Sequence, residues 1–257
     1  MSIVTPLPSV GGAAEPISIE LRTWFTHAHP DLRGGLASTT TNTPYLDFPG
    51  RTNNAPEIEA TMPIGRTSNL RVAYFQTKGQ GDTTATSDLT LFSTDFSTGD
   101  LLVTRYTLRN LRISYEDLFY PFPHNDAKWK VKTLWEVQGT EIVSSIDAPL
   151  RAVSVDSSGL PISNTAEATR WLIYPTLGMA GEYSPTKRFH LEGRASGFAF
   201  PHRAVTWNAE ATATYHIGPL VIVGGYQGFH IKTSPKREDY FNTTFGGPFA
   251  GLRWEWQ

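Results

Sequence analysis

The sequence of 257 residues has no cysteine, which excludes disulfide bonds and thiolate metal sites. It has no run of about 20 apolar residues, so a membrane-spanning helix is excluded as well. Its 22 Lys and Arg residues nearly balance its 24 Asp and Glu residues, and a strongly basic surface for nucleic acid is therefore missing. We expect no nucleic-acid partner. Because the motifs of phosphate loops and catalytic zinc sites are missing too, we expect no cofactor and no metal.

The sequence does contain long alternating segments. From Val205 to Ile217, apolar or aromatic residues at odd positions alternate with polar residues at even positions. This period of two is typical of a β-strand with one apolar and one polar face. The segment is longer than the 5 to 6 residues that are usual in strands, and it exceeds the roughly 9 to 11 that a tilted transmembrane strand needs. The pattern predicts a strand that crosses a membrane.

Segments of this kind recur along the chain. We predict ten strands, at Ile17–His27, Pro56–Pro63, Ser68–Lys78, Leu101–Leu118, Ala127–Ile142, Ala168–Tyr183, Lys187–Phe200, Ala204–Ile217, Leu220–Lys232 and Phe245–Trp256. Long and short connections alternate, apart from the tight connection at Pro201–His202. This is typical of outer-membrane barrels, in which short turns face the periplasm and long loops face outside. The predicted fold is all-β, a closed antiparallel up-and-down transmembrane β-barrel of about ten strands, with eight or twelve as alternatives.

We expect residues 1–16 to form an N-terminal periplasmic arm and residues 17–257 to form a single barrel domain. The arm could hang free or fold into the barrel mouth. Met1 to Pro16 has no basic region followed by an apolar one, which is the pattern of a signal peptide. Since an exported barrel needs a signal, we expect that it has been removed from this numbering and that the protein lies in the bacterial outer membrane.

The two faces of the predicted strands differ in charge. In Lys128–Gln138 every charged residue falls on an even position, as expected if the odd positions face lipid, where Arg or Lys costs about 2 to 4 kcal/mol near the midplane. In Leu101–Leu118 the apolar parity changes from even, at Tyr106 and Leu108, to odd, at Leu111 and Ile113. We interpret this change as a β-bulge near Arg109 and Asn110.

Aromatic residues gather near the predicted strand ends, as in the aromatic girdles of membrane proteins. The membrane-interface candidates are Trp24, Trp129, Trp171, Tyr183, Tyr215, Trp254 and Trp256.

The chain closes with an alternating strand that ends in aromatic residues, from Phe245 to Gln257, in which Ala250, Leu252, Trp254 and Trp256 share one face. In this it resembles bacterial outer-membrane β-barrel proteins of the small porin-like or OmpA-like class, whose last strand carries a signal for the barrel-insertion machinery. Gln257 departs from the pattern because the terminal residue of this chain is not aromatic. The resemblance covers nearly the whole chain as architecture, identifies no specific member, and implies outer-membrane lipid as a partner.

The polar parity predicts a set of lumen-facing residues: Glu20, Arg22, Arg71, Arg112, Glu116, Lys130, Lys132, Glu136, Glu182, His190, Glu192, Arg194, Glu210, His216, Arg253 and Glu255. Unpaired charges are costly in a narrow lumen, so we expect an ion-paired plug of side chains. The first functional hypothesis is a structural or anchoring barrel whose external loops bind an envelope protein or a glycan, for example through the segment from Ala28 to Ala55. The second is a narrow channel for small solutes, in which Lys130, Lys132 and Arg194 would tune ion selectivity.

Two further alternatives stay open. A soluble barrel that binds a small apolar ligand would show the same alternation, with the apolar face inward. An outer-membrane lipid hydrolase or protease would need a Ser/His or Asp/His site at the rim, but His190 and Ser196 lie about 20 Å apart along one strand. Rim histidines His27, His29, His202 and His230 show no metal-ligand spacing. We therefore expect no enzymatic function and predict no catalytic residue.

Overall fold

The computed structural model describes residues 15–28, 30–34, 46–47, 53–92, 94–120, 128–151, 164–200, 204–233 and 239–256. These residues form β-strands joined by turns, with no helix long and apolar enough to cross a membrane. The strands are β1 (Ile17–Ala28), β2 (Asp31–Gly34), β3 (Leu46–Asp47), β4 (Asn53–Pro63), β5 (Ser68–Thr84), β6 (Leu89–Leu91), β7 (Thr94–Phe96), β8 (Leu101–Tyr120), β9 (Trp129–Asp147), β10 (Thr165–Tyr183), β11 (Phe189–Phe200), β12 (Ala204–Ile217), β13 (Leu220–Lys232) and β14 (Asp239–Trp256).

Ten of these strands form a closed antiparallel barrel. Each pairs with its neighbour in the order β1, β4, β5, β8, β9, β10, β11, β12, β13, β14, and the barrel closes where β14 pairs with β1, from Ile17 opposite Trp256 to Ala28 opposite Phe245. The short strands β2 and β3 extend the sheet beyond β14, and β6 pairs with β7 in a separate hairpin. The predicted fold class and strand number are therefore confirmed.

The two ends of the barrel differ. At one end, which we call the hairpin end, β1 begins, β14 ends and short connections join the strands, such as residues 64–67 and 218–219. Gly218 in the β12–β13 turn has a φ of 65°, which a two-residue hairpin turn requires and which glycine adopts without steric cost. At the other end, the loop end, β5, β8, β9 and β10 are long strands and rise above the shorter β1 and β4.

The outer surface carries a broad apolar belt. Large apolar side chains that point outward from the hairpin half include Leu21, Ile113, Val137, Ile173 and Leu252, which are between 43% and 79% exposed. On β10 the belt runs from Trp171 to Tyr183, about 30 Å in height for a strand tilted by about 40°. The apolar face therefore points outward, the opposite of a soluble ligand-binding cup.

Polar residues replace the belt toward the loop end. There the outward-facing Arg109 donates hydrogen bonds to Glu141 at 2.6 Å and to Gln76 at 3.3 Å, linking three neighbouring strands. The outer surface thus changes from apolar to charged at one height on β5, β8 and β9.

The inside of the barrel changes in the opposite sense. Its hairpin half is filled by charged side chains, whereas its loop half holds a core that includes Trp24, Phe75, Leu108 and Phe245. This arrangement corrects the bulge predicted at Arg109 and Asn110: β8 pairs in continuous register with β5 through this region, and its register with β9 shifts only between Leu118 and Tyr120. Even positions of β8 face inward from Leu102 to Leu118. The parity of the apolar residues changes because the interior changes from polar to apolar.

Candidate functional site

Most of the predicted lumen residues meet in one charged layer in the hairpin half of the barrel. Those that are almost fully buried are Glu20, Arg22, Arg71, Arg112, Glu116, Lys132, Glu136, Arg194 and Glu210. Glu57 and Glu59, which were not among the predicted lumen residues, are buried in the same layer. Glu57 and Glu59 could have been found, because they alternate with Ala60 and Ile58 on β4 in the same way as the residues on the other strands. What this layer does for the protein stays a prediction.

Arg22 of β1 lies at one centre of the charged layer. Its guanidinium donates to Glu57 at 2.7 Å and to Glu210 at 2.8 Å, and it lies 3.4 Å from Glu20 and 3.9 Å from Glu59. The pair with Glu210 spans the lumen, because β1 and β12 are not neighbours in the sheet. One cation therefore joins carboxylates from three strands.

A second centre surrounds Glu116 of β8. Its carboxylate accepts hydrogen bonds from Arg194 at 2.6 Å and forms an ion pair with Arg71 at 2.8 Å. Arg71 also binds Glu59 at 2.9 Å. Near Arg194, Glu136 accepts hydrogen bonds from the hydroxyl groups of Ser196, Ser114 and Thr176. These contacts neutralise the buried charges, which a low-dielectric interior requires.

The remaining lumen candidates surround a cavity of about 160 Å³ at the mouth of the hairpin end. The predicted lumen residues that line this cavity are Lys130, Glu182, His190, Glu192, His216, Arg253 and Glu255. The two imidazole rings are 4.7 Å apart, and each lies near a carboxylate, His190 at 3.5 Å from Glu182 and His216 at 3.4 Å from Glu255. Glu15 and Pro16, which precede β1, also line this cavity. The part of the arm that the structure describes thus lies at the barrel mouth.

The loop half of the barrel interior is an apolar layer, which we define as Trp24, Phe75, Tyr106, Leu108, Ile142, Phe229, Ile231, Phe241 and Phe245. The rings of Trp24 and Phe75 meet edge to face at 5.5 Å, as do those of Phe75 and Phe229. Trp24, Phe229 and Phe245 have no accessible surface. A lumen wide enough for water would expose some of this surface, so the described side chains fill the barrel at this height.

Trp24 corrects one prediction. It was expected at the membrane interface, but it is buried and donates a hydrogen bond from Nε1 to the carbonyl oxygen of Gly247 at 3.1 Å. It shares its parity with Glu20 and Arg22, which explains its inward orientation.

The other interface candidates occupy the outer surface. Trp129 and Tyr183 stack at 4.3 Å near the hairpin end, where Tyr215, Trp254 and Trp256 are also exposed. Trp171 is exposed on β10 near the upper edge of the apolar belt. Their contact with a membrane interface stays a prediction.

One Ser/His pair at the hairpin end suggests catalysis at first sight. Ser184 Oγ, which directly follows β10, lies 2.8 Å from His190 Nδ1 on β11. The sequence analysis considered only Ser196 as a partner of His190 and rejected it because of its distance along the strand. However, Glu182 approaches the same ring nitrogen at 3.5 Å, whereas a Ser/His/acid triad needs the acid on the opposite nitrogen. The geometry therefore does not form a catalytic triad.

The described residues contain no group of three or more His, Asp or Glu side chains that could hold a metal ion. Of the rim histidines, His230 lies on the outer surface, stacked on Trp207 at 5.7 Å, and His27 is exposed on β1. His29, His202 and most of the loop from Ala28 to Ala55 lie outside the described residues.

The architecture is similar to that of solved bacterial outer-membrane proteins. The outer membrane protease OmpT from Escherichia coli matches with a TM-score of 0.63 at 12% sequence identity, over 99% of this chain and 100% of that one. Ail of Yersinia pestis, solved in complex with the heparin analogue sucrose octasulfate, matches at 7% identity over 93% and 99% of the two chains, with a TM-score of 0.37. Neisserial surface protein A matches at 14% identity over 95% and 99%, with a TM-score of 0.38.

No protein-family model matches the chain, and neither does any curated protein sequence. The similarity to OmpT, at this low identity, concerns the fold alone. Together with the closed ten-stranded sheet, it shows that the chain has the fold of a bacterial outer-membrane β-barrel.

Proposed function

We propose that the protein resides in a bacterial outer membrane as a closed anchoring barrel, and that its loop end binds an envelope protein or a glycan. Two features of the barrel carry this proposal. The outer surface is apolar over the hairpin half, and the interior is filled by the charged layer in the hairpin half and by the apolar layer in the loop half. The apolar outside supports lipid contact, and the filled inside supports anchoring over conduction.

The outer surface fits a membrane. The belt height of about 30 Å on β10 is close to the hydrocarbon thickness of a bilayer. Exposed Trp129, Trp254 and Trp256 at the hairpin end fit the headgroup level, where indole rings are enriched. In water, an apolar surface of this extent would cause aggregation.

The interior favours an anchor over a channel. An ion that crossed the barrel would have to break the contacts of the charged layer and then pass the apolar layer, where Phe229 and Phe245 are fully buried. The narrow channel, with Lys130, Lys132 and Arg194 as selectivity residues, therefore has less support than the anchor.

The loop end offers a polar surface for binding. The parts of β5, β8, β9 and β10 above the belt carry outward-facing ion pairs, Arg105 with Asp147 and Arg109 with Glu141. The β6–β7 hairpin adds a small separate sheet, in which Leu91 and Phe96 are buried against the apolar layer. Binding residues in proteins are commonly carried by loops that a strand scaffold of this kind positions.

The first experiment measures the mobility of the detergent-extracted protein in SDS with and without boiling, followed by conductance in planar bilayers. We expect a heat-dependent shift and no stable conductance steps. A freely soluble chain without a shift would contradict the membrane barrel, whereas stable conductance altered by Lys132→Gln would favour the channel.

The second experiment tests the loop end with the folded protein in lipid nanodiscs on a glycan array and in cross-linking with envelope extracts. We expect binding that is weakened by Arg105→Ala combined with Arg109→Ala, and unchanged by Lys128→Ala at the hairpin end. OmpT is a protease, so cleavage of a peptide library is measured on the same sample. Cleavage in place of binding would replace the anchor by an enzyme.

A further inference from the structure

Glu15 inserts its side chain into the hairpin end of the barrel, although it lies before the first strand. Its carboxylate forms ion pairs with Lys132 and, at 3.2 Å, with Arg71. Its backbone N–H donates a hydrogen bond to Asn69 Oδ1 at 3.0 Å. The segment is therefore held by a side chain and by its backbone, as a bound peptide would be.

Lys132 depends on this carboxylate. The Lys132 side chain is 3% exposed, and its only other ion-pair partner among the described residues is Glu182, at 3.5 Å. Arg71, in contrast, keeps Glu59 at 2.9 Å and Glu116 at 2.8 Å when Glu15 is disregarded. A buried ammonium group that loses its close partner is strongly unfavourable. Without Glu15, Lys132 keeps only the more distant Glu182 among the described residues, so the position of Glu15 favours a carboxylate.

The local charges favour an anion at this position. Burial alone would raise the pKa of the Glu15 carboxyl, but Lys132, Arg71 and Arg253 together hold this pKa well below its usual range. Glu15 and Pro16 line the mouth cavity of about 160 Å³, so the position of the Glu15 side chain adjoins the open end of the barrel.

We propose that Lys132, Arg71 and Asn69 form a binding site for the glutamate side chain of a peptide, which Glu15 occupies within the same chain. When Glu15 is withdrawn, the site accepts an acidic peptide segment from another chain, such as a periplasmic protein. The site lies at the end of the barrel opposite the proposed binding loops, and the proposal does not depend on the function of those loops.

The test uses full-length protein with Glu15→Ala and two synthetic peptides, acetyl-Ala-Ala-Glu-Pro-amide and its Gln counterpart, with affinity measured by calorimetry in detergent. We expect the Glu peptide to bind the variant at least about tenfold more tightly than the Gln peptide does. We expect the wild type to bind neither peptide at the same concentrations, because its site is filled. Adding Lys132→Met to Glu15→Ala should reduce the preference for Glu, because Arg71 is then the remaining cation of the site.

Equal binding of the two peptides, or a Glu preference that Lys132→Met leaves unchanged in size, would overturn the proposal. The SDS heat shift establishes that each variant is folded. If Glu15→Ala fails to fold, a water-soluble acylating reagent that reacts with amines is applied to Glu15→Gln and to the wild type. Mass spectrometry then compares the rate at which Lys132 is acylated in the two proteins. We expect faster acylation in Glu15→Gln and an unchanged rate in Glu255→Gln, a matched control at the same mouth. An unchanged rate in Glu15→Gln would also overturn the proposal.

Discussion

The two halves of the barrel interior solve the same packing problem with different chemistry. The hairpin half fills its centre with ion pairs, such as those that Arg22 forms with Glu57 and Glu210. The loop half fills it with rings and aliphatic side chains, such as Phe75 packed on Trp24 and Phe229. The outer surface has the opposite order, with the apolar belt around the charged half.

This difference teaches where each half is vulnerable. Buried charges are interdependent, since the removal of one partner leaves the others unpaired in a low dielectric. Apolar side chains contribute in proportion to the surface and volume that they fill, so their loss is graded. The Phe249 ring lies under the guanidinium group of Arg22, whose Cζ is 4.6 Å from the ring centroid. This contact joins the charged half and the apolar half of the interior.

The largest expected effect is that of Arg22→Met. It leaves Glu57 and Glu210 without their closest cation and should lower the free energy of unfolding by about 3 to 5 kcal/mol. Urea unfolding in lipid vesicles, followed by tryptophan fluorescence, measures it. Arg105→Met is the control, because Arg105 is half exposed and its pair with Asp147 contributes about 0 to 1 kcal/mol. Equal effects of the two substitutions would remove the proposed difference between buried and exposed charges.

The next effect is that of Phe229→Ala in the apolar layer. The cavity left between Phe75 and Phe245 should cost about 3 kcal/mol, whereas Phe229→Leu should cost clearly less. The same unfolding measurement compares the two variants. If both lose the same free energy, the apolar half is not graded and the contrast with the charged half fails.

The smallest expected effect is that of Gly247→Ala at the junction of the halves, where β14 meets β1. An added Cβ would overlap the carbonyl oxygen of Phe25, so the backbone where β14 pairs with β1 must shift, at a cost of about 1 to 3 kcal/mol. Gly193→Ala is the control, since no atom beyond Gly193 and its two chain neighbours lies within 4 Å of its Cβ position. If both variants lose their SDS-resistant mobility at the same temperature, the pairing of β14 with β1 accommodates the added methyl group without loss of stability.

Much of the fold could be predicted from the sequence because alternation reports directly on the two faces of a strand. The predicted bounds of β12, Ala204–Ile217, and of β13, Leu220–Lys232, agree with the structure. The extensions of β5 to Thr84 and of β14 back to Asp239 were missed. There the strands rise above the belt, and the signal of one apolar and one polar face is reversed or lost.

The reversal itself could have been recognised. Inward-facing Phe75, Leu108 and Ile142 occur at similar heights on neighbouring strands, next to outward-facing polar Gln76, Arg109 and Glu141. A bulge on one strand does not explain the same change on three. The pairing of Arg22 with Glu210, in contrast, could not be predicted, because it depends on which strands face each other across a closed barrel.

The closing seam gives the charged layer a role in the order of folding. Arg253, on the last strand, donates to Glu20, on the first, although 233 positions separate them along the chain. The charges on early strands therefore lack part of their compensation until the final strand has docked. In a partly assembled sheet, these carboxylates remain hydrated. Closure of the barrel removes this water and pairs the carboxylates with cations in one step. Assembly of this barrel is thus expected to be all-or-none, with partially closed intermediates disfavoured by their own unpaired charges.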